Sequence, residues 1–350
     1  MVYHILSNVA NGALAKRFVE DGQDKMTLPG WAFPVLLLDA IVFLPILLFV
    51  GYTLGAIYPT LAMIEDPNPP AYEPVALHEE ADDSPAAAAA TSSSSAEPKP
   101  VTASLRATNR LVYGVAGWRS YFRGLLCALV LTTASGLAAG IFSGIPFVGT
   151  LLASLALVQL STTWVHLVIS QPSDRPFWRR LPPLRKTFEA TWQPILLNWV
   201  AQTASAGIPM VIAAAFGLEF WSPSDPNNVP VYDKHAAWKG SVVALVAILL
   251  KFLVLVPSQV VLVRVQASLL PPDEDTIVPF DRSFEGRVEP AVVGGKGYVT
   301  LRDAFATFSR ASWIRLYVLY AKVFAISVVG HMLLMAVVIP EVLLMARKGN

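Results

Sequence analysis

Three ionisable residues interrupt the most apolar stretches of this chain. Asp39, Lys251 and His331 each stand inside an apolar run long enough to cross a bilayer, where a charge is costly unless it is paired or hydrated. At about 1.5 Å per helical residue, their depths are similar. We expect a central cavity in which Asp39 and Lys251 neutralise each other and His331 responds to protons. The alternative places Asp39 near the headgroups and lets Lys251 extend its ammonium group to the surface.

A second candidate site is the short sequence Asn68-Pro-Pro-Ala-Tyr72, which fits the pattern PPxY. Pro69 and Pro70 favour a polyproline II segment, and Tyr72 then suits the groove of a WW domain. The pattern predicts docking of a WW-domain partner such as a ubiquitin ligase. The alternative is a proline-rich exit from the preceding apolar segment that fits the pattern by chance.

Residues for covalent or metal chemistry are scarce. Cys127 is the only cysteine and lies in the apolar run LLCALVL, away from the base and the water that a nucleophilic thiol needs. The chain has no phosphate-binding loop, dinucleotide fingerprint or nucleophile elbow. A net charge of +1 does not suit a nucleic-acid partner. We therefore predict no enzyme activity, no cofactor, no metal site and no nucleic-acid binding.

The composition predicts a membrane protein. Hydrophobic residues make up 54% of the chain and charged residues 15%, and the mean hydropathy is +0.53. A water-soluble chain of this length would lack polar surface to cover itself. The fold class expected is all-α: a polytopic membrane protein with about six transmembrane helices, internal pseudo-repeats and amphipathic helices in the inside loops. The bilayer is its first predicted partner.

Runs of about 20 apolar residues predict six spans, at 31–58, 125–144, 147–170, 195–220, 241–262 and 316–344. Only a short turn separates the second from the third, so these two could instead form a hairpin that fails to cross. The predicted segments of the chain are an N-terminal interfacial segment (1–30), a first transmembrane helix (31–64), a disordered loop rich in Pro, Ala and Ser (65–104), an amphipathic helix with transmembrane helices two to five (105–270), a partly ordered inside loop (271–311) and a last transmembrane helix with a tail (312–350).

The basic residues are distributed unequally between the two sides of these spans. Seventeen Lys and Arg residues follow spans one, three and five, and seven lie on the other side. Because cytoplasmic-type loops collect Lys and Arg, we expect the three long loops inside and both termini outside. The sequence leaves a mitochondrial and an endomembrane location open.

Glycines repeat at a spacing of four residues in span two. Gly136, Gly140 and Gly144 form a stripe that lets another helix backbone approach closely. The stripe predicts helix packing inside the bundle, and the alternative is the face of a homodimer.

Three similar phrases, each with a Trp before an apolar run, give the chain an internal repeat. They lie at 117–124, 190–198 and 311–319. Span five ends PSQVVLVRVQ, the second span follows GWRSYFRG, and span one ends YPTLAM. With these features the chain resembles the mitochondrial carrier family, in which the ends of odd spans carry Pro-x-acid-x-x-base and base-x-Gln, and even spans follow Gly-x-x-x-aromatic-Arg-Gly. The residues that match are Pro59, Gly117, Arg123, Gly124, Pro257, Arg264 and Gln266.

The resemblance implies three repeats that surround a path for a solute. In the family, the acid and base of each repeat form a ring of ion pairs that closes the inner mouth. This chain has Gln259 and Leu262 at those positions of the third repeat, and Thr163 and His166 in the second. We therefore expect a degenerate carrier-type transporter or an insertion or scaffold protein. The alternative is a membrane-anchored adaptor that recruits a WW-domain ubiquitin ligase through PPAY.

The sequence is also similar to fungal multi-span proteins that carry the label ubiquitin carrier or ubiquitin-conjugating protein. A conjugating enzyme needs a solvent-accessible cysteine nucleophile, whereas Cys127 lies in a predicted span. The chemistry that this label implies is therefore not expected here.

Overall fold

A computed structural model describes residues 31–66, 100–145, 148–218, 234–289 and 293–348. In this part of the chain the structure is helical, and its one β-type pairing is an isolated antiparallel bridge between Ser170 and Thr276. The α-helices are α1 (Ala32–Leu48), α2 (Tyr58–Ile64), α3 (Leu105–Ala116), α4 (Leu125–Ile141), α5 (Gly149–Ala156), α6 (Val158–Ile169), α7 (Leu184–Ala215), α8 (Lys234–Leu250), α9 (Val256–Ser268), α10 (Leu301–Ala306) and α11 (Arg310–Lys348).

Five helical segments in the described residues are long and apolar enough to cross a membrane. They are Ala32–Ile64, Leu105–Gly144, Leu184–Ala215, His235–Ser268 and Arg310–Val342. Helices α5 and α6 meet at a bend of 56° and would make a sixth span if they act as one. The all-α, multi-pass, membrane-embedded class expected from the sequence is confirmed. The count of six and the pseudo-repeats stay predictions.

Two of the spans contain π-helical turns. One covers Phe49–Ile57 and joins α1 to α2, and the other covers Lys251–Leu255 and joins α8 to α9. A π turn inserts extra residues into a helix and is often found near functional positions. Here each turn lies upstream of a proline, Pro59 or Pro257. Since proline cannot donate a backbone hydrogen bond, regular α-helix is already weakened at these points.

The described residues fall into two compact units. The first contains residues 31–47, 198–258 and 328–348, and the second contains 48–197 and 259–327, apart from the stretches not described. In the first unit, polar contacts join α7 to the α8–α9 span. Ser205 donates to the Leu250 carbonyl over 3.4 Å, and Ser258 donates to the Asn198 amide oxygen over 3.1 Å.

The second unit contains the C-terminal ends of α2, α6 and α9 and the start of α11. Its core includes a cluster in which Phe284, Val299 and Ala304 pack against Ala190 of α7 and against Val261 and Val265 of α9. The predicted partly ordered loop therefore contributes buried side chains to this unit. Arg123, before α4, donates to the carbonyl oxygen of Leu167 in α6 over 3.1 Å. This bond fixes the start of α4 beside the end of α6.

Candidate functional site

A group of buried polar residues lies where α2, α6 and α9 end and α11 begins. Glu65, His166, Arg264, Gln266 and Arg315 are each at most 9% exposed. We call these five residues the helix-end cluster, and the surface of the second unit that carries them the helix-end face. Buried charges are tolerated only where partners replace the water that they lose, so the partners of each residue define what the cluster does.

Glu65 is the acidic member of the cluster. Its carboxylate accepts hydrogen bonds from the backbone N–H groups of Val101 at 2.6 Å and Thr102 at 3.0 Å, and from the Thr102 hydroxyl. Arg315 lies 3.5 Å from the same carboxylate and also donates to the Glu65 carbonyl over 3.0 Å. Glu65 thus ties the end of α2 to the chain that re-enters at Val101 and to α11.

Arg264, in α9, matches the second base of the carrier-type pattern, the one in base-x-Gln, whereas Leu262 replaces the first. Its guanidinium group donates to the Met63 carbonyl of α2 over 3.3 Å and to the Thr307 hydroxyl over 2.8 Å. The same group lies 4.9 Å from the ring centre of Phe284 and 5.3 Å from that of Phe308, distances at which a cation is attracted to an aromatic face. Arg264 therefore links α9 to α2.

Gln266 joins α9 to α6. Its side-chain amide donates to the hydroxyl groups of Ser161 at 3.1 Å and Thr162 at 3.4 Å. The backbone carbonyl oxygen of Gln266 lies 2.9 Å from His166 Nε2. Because a carbonyl can only accept, Nε2 must carry the proton in this contact. Together, Arg264 and Gln266 connect the end of α9 to the ends of both α2 and α6.

Two further cations lie beside this cluster. Arg123 donates to the Ser170 carbonyl as well as to that of Leu167, and Arg180 forms an ion pair with Glu274. Gly124, next to Arg123, has φ of 71°, and a Cβ there would lie 3.4 Å from the Trp164 ring. Glycine is therefore suited to this position by its backbone conformation and by the close approach of α6.

The remaining motif positions have structural roles. Pro59 is buried at the second position of α2, directly after the first π turn, where its missing N–H weakens the regular α-helical pattern. Pro257 occupies the same place in α9. Gly117 ends α3 with φ of 62° and ψ of −145°, a backbone conformation that glycine adopts far more readily than residues with a Cβ. These positions thus explain local backbone geometry, while Arg264 and Gln266 make the contacts between helices.

The three residues of the predicted polar cavity lie in the first unit, without the expected ion pair. Lys251 is exposed at the first residue of its π turn, and no ion pair within 4 Å joins it to Asp39 in the described residues. The Asp39 carboxyl instead lies near the carboxyl of Glu341, and one oxygen of each is buried without a hydrogen-bond partner among the described residues. His331 is exposed on α11. The sequence prediction missed Glu341 because it stands near the end of the last apolar run.

The glycine stripe has no close intramolecular neighbour in the described residues. A Cβ added at Gly136, Gly140 or Gly144 would meet no atom within 4 Å beyond the helix itself. Both interpretations of the stripe, packing inside the bundle and the face of a homodimer, stay predictions. Pro69, Pro70 and Tyr72 lie outside the described residues.

Sequence reasoning also missed Glu65 and Arg315. Glu65 falls in the predicted disordered loop (65–104), and Arg315 is one of the seventeen basic residues predicted on the inside. The available signal was their position: each directly adjoins a long apolar run, Glu65 after the first and Arg315 before the last. Acidic and basic residues at such boundaries are candidates for pairing with each other.

Comparison of the chain with models of protein families, with curated proteins and with solved structures found no match in any of the three. In the described residues, no group of three or more His, Cys, Asp or Glu side chains is placed to hold a metal ion.

Proposed function

We propose that this chain is a degenerate carrier-type protein that passes or inserts a small or amphipathic solute, and that the helix-end cluster closes its path. The observation that carries the proposal is the bonding of Arg264 and Gln266. These residues match two positions of the carrier-type pattern, and both are buried where they join α9 to α2 and α6.

The mode of closure differs from the ring of acid–base pairs that the resemblance implies. Arg264 bonds a carbonyl and a hydroxyl, and Gln266 bonds two hydroxyl groups. The buried acid–base pair of the cluster joins Glu65 to Arg315. Neutral acceptors hold a buried guanidinium less strongly than a carboxylate does. Such bonds can therefore close the helix ends without a set of exchanging ion pairs.

Solute entry into proteoliposomes tests this proposal. Vesicles containing the full chain would be mixed with a hyperosmotic solution of glycerol, urea or arabinose, in which they shrink. Light scattering then follows their reswelling, which reports entry of the solute. Arg264→Lys keeps the charge but loses the forked donors, and Gln266→Ala removes the amide. We expect either variant to admit solutes that the original chain excludes.

The matched control is Arg302→Lys, because Arg302 is exposed on α10 in the same unit and makes no contact in the cluster. Reswelling of this variant should equal that of the original chain. Thermal unfolding of each variant would show whether it is folded. If folded Arg264→Lys and Gln266→Ala vesicles exclude every solute that the original excludes, the cluster closes no path and the proposal is wrong.

A further inference from the structure

The segment Glu274–Phe284 lies across the C-terminal ends of α2, α6 and α9, three of the helices that the cluster joins. At α6, Ile277 N–H donates to the Ile169 carbonyl over 2.9 Å, and Gln171 N–H donates to the Asp275 carbonyl over 2.8 Å. At α2, Asp66 N–H donates to the Pro279 carbonyl over 2.9 Å. At α9, Phe284 lies beneath the Arg264 guanidinium. One short stretch of chain thus contacts three helix ends.

The segment also covers the cluster with apolar side chains. Ile277, Val278 and Phe284 are 6%, 1% and 1% exposed, and Phe280 packs edge-on against Phe284 with ring centres 5.5 Å apart. These side chains exclude water from the helix-end face. The segment is therefore placed to close that face together with the bonds between the helices, so that loss of either part opens it.

Its last turn is held in an unfavourable backbone conformation. Phe284 and Glu285 have φ of 51° and 59°, a left-handed region that is unfavourable for a residue with a Cβ. Asp281 compensates by accepting hydrogen bonds from the N–H groups of Ser283 and Glu285 at 2.8 and 2.7 Å. The turn is thus held closed by one carboxylate and one buried ring.

Closure also leaves a polar group of the cluster unsatisfied. The Nε of Arg264 is buried and has no hydrogen-bond partner among the described residues, and a buried donor without a partner is unfavourable relative to a hydrated one. Water that reached Arg264 after removal of Phe284 would satisfy this donor. The strained turn and the orphan donor both favour an open form, whereas the apolar contacts favour the closed one.

We infer that Glu274–Phe284 is a removable seal, which must leave the ends of α2, α6 and α9 before a solute can pass. This inference rests on the proposed function, because it names the element that regulates the same path. The seal moves as one piece, since its contacts with the three helix ends are made by a single continuous stretch of eleven residues. The seal and the bonds of Arg264 and Gln266 support each other, so that release of the seal weakens the closure of the helix ends.

Hydrogen exchange on the full chain in proteoliposomes tests the seal directly. Phe284→Ala removes the ring that holds the segment, and Phe305→Ala removes a ring that is 50% exposed and serves as the control. In Phe284→Ala, the amides of Asp66, Gln171 and Ile277 should all exchange at least about tenfold faster, while amides inside α6 keep their rates. Phe305→Ala should change none of them.

A disulfide lock supplies the converse test. Residues in an antiparallel bridge lie close enough for a disulfide, so Ser170→Cys with Thr276→Cys, in a Cys127→Ser background, should hold the segment in place. Under oxidising conditions this pair should restore slow exchange in Phe284→Ala and abolish its solute entry, and a reductant should reverse both effects.

The outcomes separate the seal from the proposed function. If the three amides respond singly, or remain protected in a folded Phe284→Ala chain, the segment is no seal. If they are released together but Phe284→Ala vesicles admit no solute while Arg264→Lys vesicles do, the segment detaches without controlling the path, and the seal is again wrong. If neither variant admits solute although the amides are released, it is the proposed function that fails.

Discussion

At the scale of single residues, the helix-end cluster depends on charges that have lost their water. Glu65 and Arg315 are 1% and 9% exposed, and each would be left without its opposite charge if the other were removed. The sequence shows that an acid and a base adjoin apolar runs, but it does not show that residues 250 positions apart meet. That pairing follows from tertiary packing, which no local pattern encodes.

We expect Glu65→Leu to destabilise the folded chain by about 3–5 kcal/mol, because it leaves Arg315 charged and buried and removes the acceptor for two backbone N–H groups. Thermal unfolding in detergent measures this loss. Arg287→Gln is the control, since it breaks an ion pair whose arginine is 45% exposed and should cost below about 1 kcal/mol. Equal losses in the two variants would contradict a buried role for Glu65.

The pKa of Asp281 predicts how the seal responds to acid. Partial burial acts to raise this pKa, but hydrogen bonds from Glu285 and Ser283 and the nearby Arg264 charge lower it below its ordinary value. A lowered pKa in the folded chain means that the carboxylate stabilises the turn at neutral pH, and that this contribution is lost as the pH falls through the folded-state pKa.

Protection factors for the Ile277 amide, corrected for the intrinsic effect of pH on exchange, should therefore decrease as the pH is lowered from 6 to about 3, across the usual range of Asp titration. Asp281→Asn should give lower protection at pH 6 and a flatter profile. A profile in Asp281→Asn as steep as the original would assign the acid response to another group.

At the scale of elements, the seal was the least predictable part of the chain. The sequence indicated partial order at 271–311 from its aromatic and β-branched residues, but the turn at Phe284 and Glu285 carries no glycine until Gly286. Local preferences alone disfavour left-handed backbone at the first two positions. Burial of the Phe284 ring against Arg264 outweighs that preference, and this contact depends on α9.

Glycine at position 285 should strengthen the seal. Glu285 is exposed with φ of 59°, so Glu285→Gly relieves the left-handed strain of the turn. Glycine also gives the released segment more conformational entropy, which offsets part of this effect. The net stabilisation of the closed segment should be about 0.5–1 kcal/mol. Slower exchange of the Asp66, Gln171 and Ile277 amides would report it. Gly286→Ala, at φ of 78°, should have the opposite effect, and faster exchange in both variants would show that strain is not what weakens the turn.

At the scale of the whole molecule, apolar run length and composition were enough to predict a helical multi-pass protein. They were not enough to determine how many spans there are. Helices α5 and α6 are separated by a bend of 56°, which no residue pattern predicted, and the count depends on whether this bent pair crosses as one span. The ion pair expected between Asp39 and Lys251 is also not found among the described residues. Depth along a helix can be estimated from the sequence, but the direction in which each side chain points cannot.

The hairpin formed by α4, α5 and α6 should cross the membrane twice. Arg123 and Ser170 are in contact, so both ends of the hairpin lie at one face, and its turn reaches the other face only if both arms cross. Single cysteines at Ser143 and Ser173, in a Cys127→Ser background, should therefore react with an impermeant maleimide from opposite sides of sealed vesicles. Reaction from the same side would make the hairpin re-entrant, so that neither arm crosses, and leave four spans.

The most direct test of the account is the accessibility of position 163. Thr163 is fully buried in α6, at the place that the carrier-type pattern gives to an acid, and Thr163→Cys in a Cys127→Ser background would report whether the helix ends are closed. With an impermeant maleimide on both sides of the membrane, we predict no labelling in the otherwise original chain and clear labelling when Arg264→Lys is added. Labelling before Arg264 is changed, or none in a folded double variant, would contradict closure by the helix-end cluster.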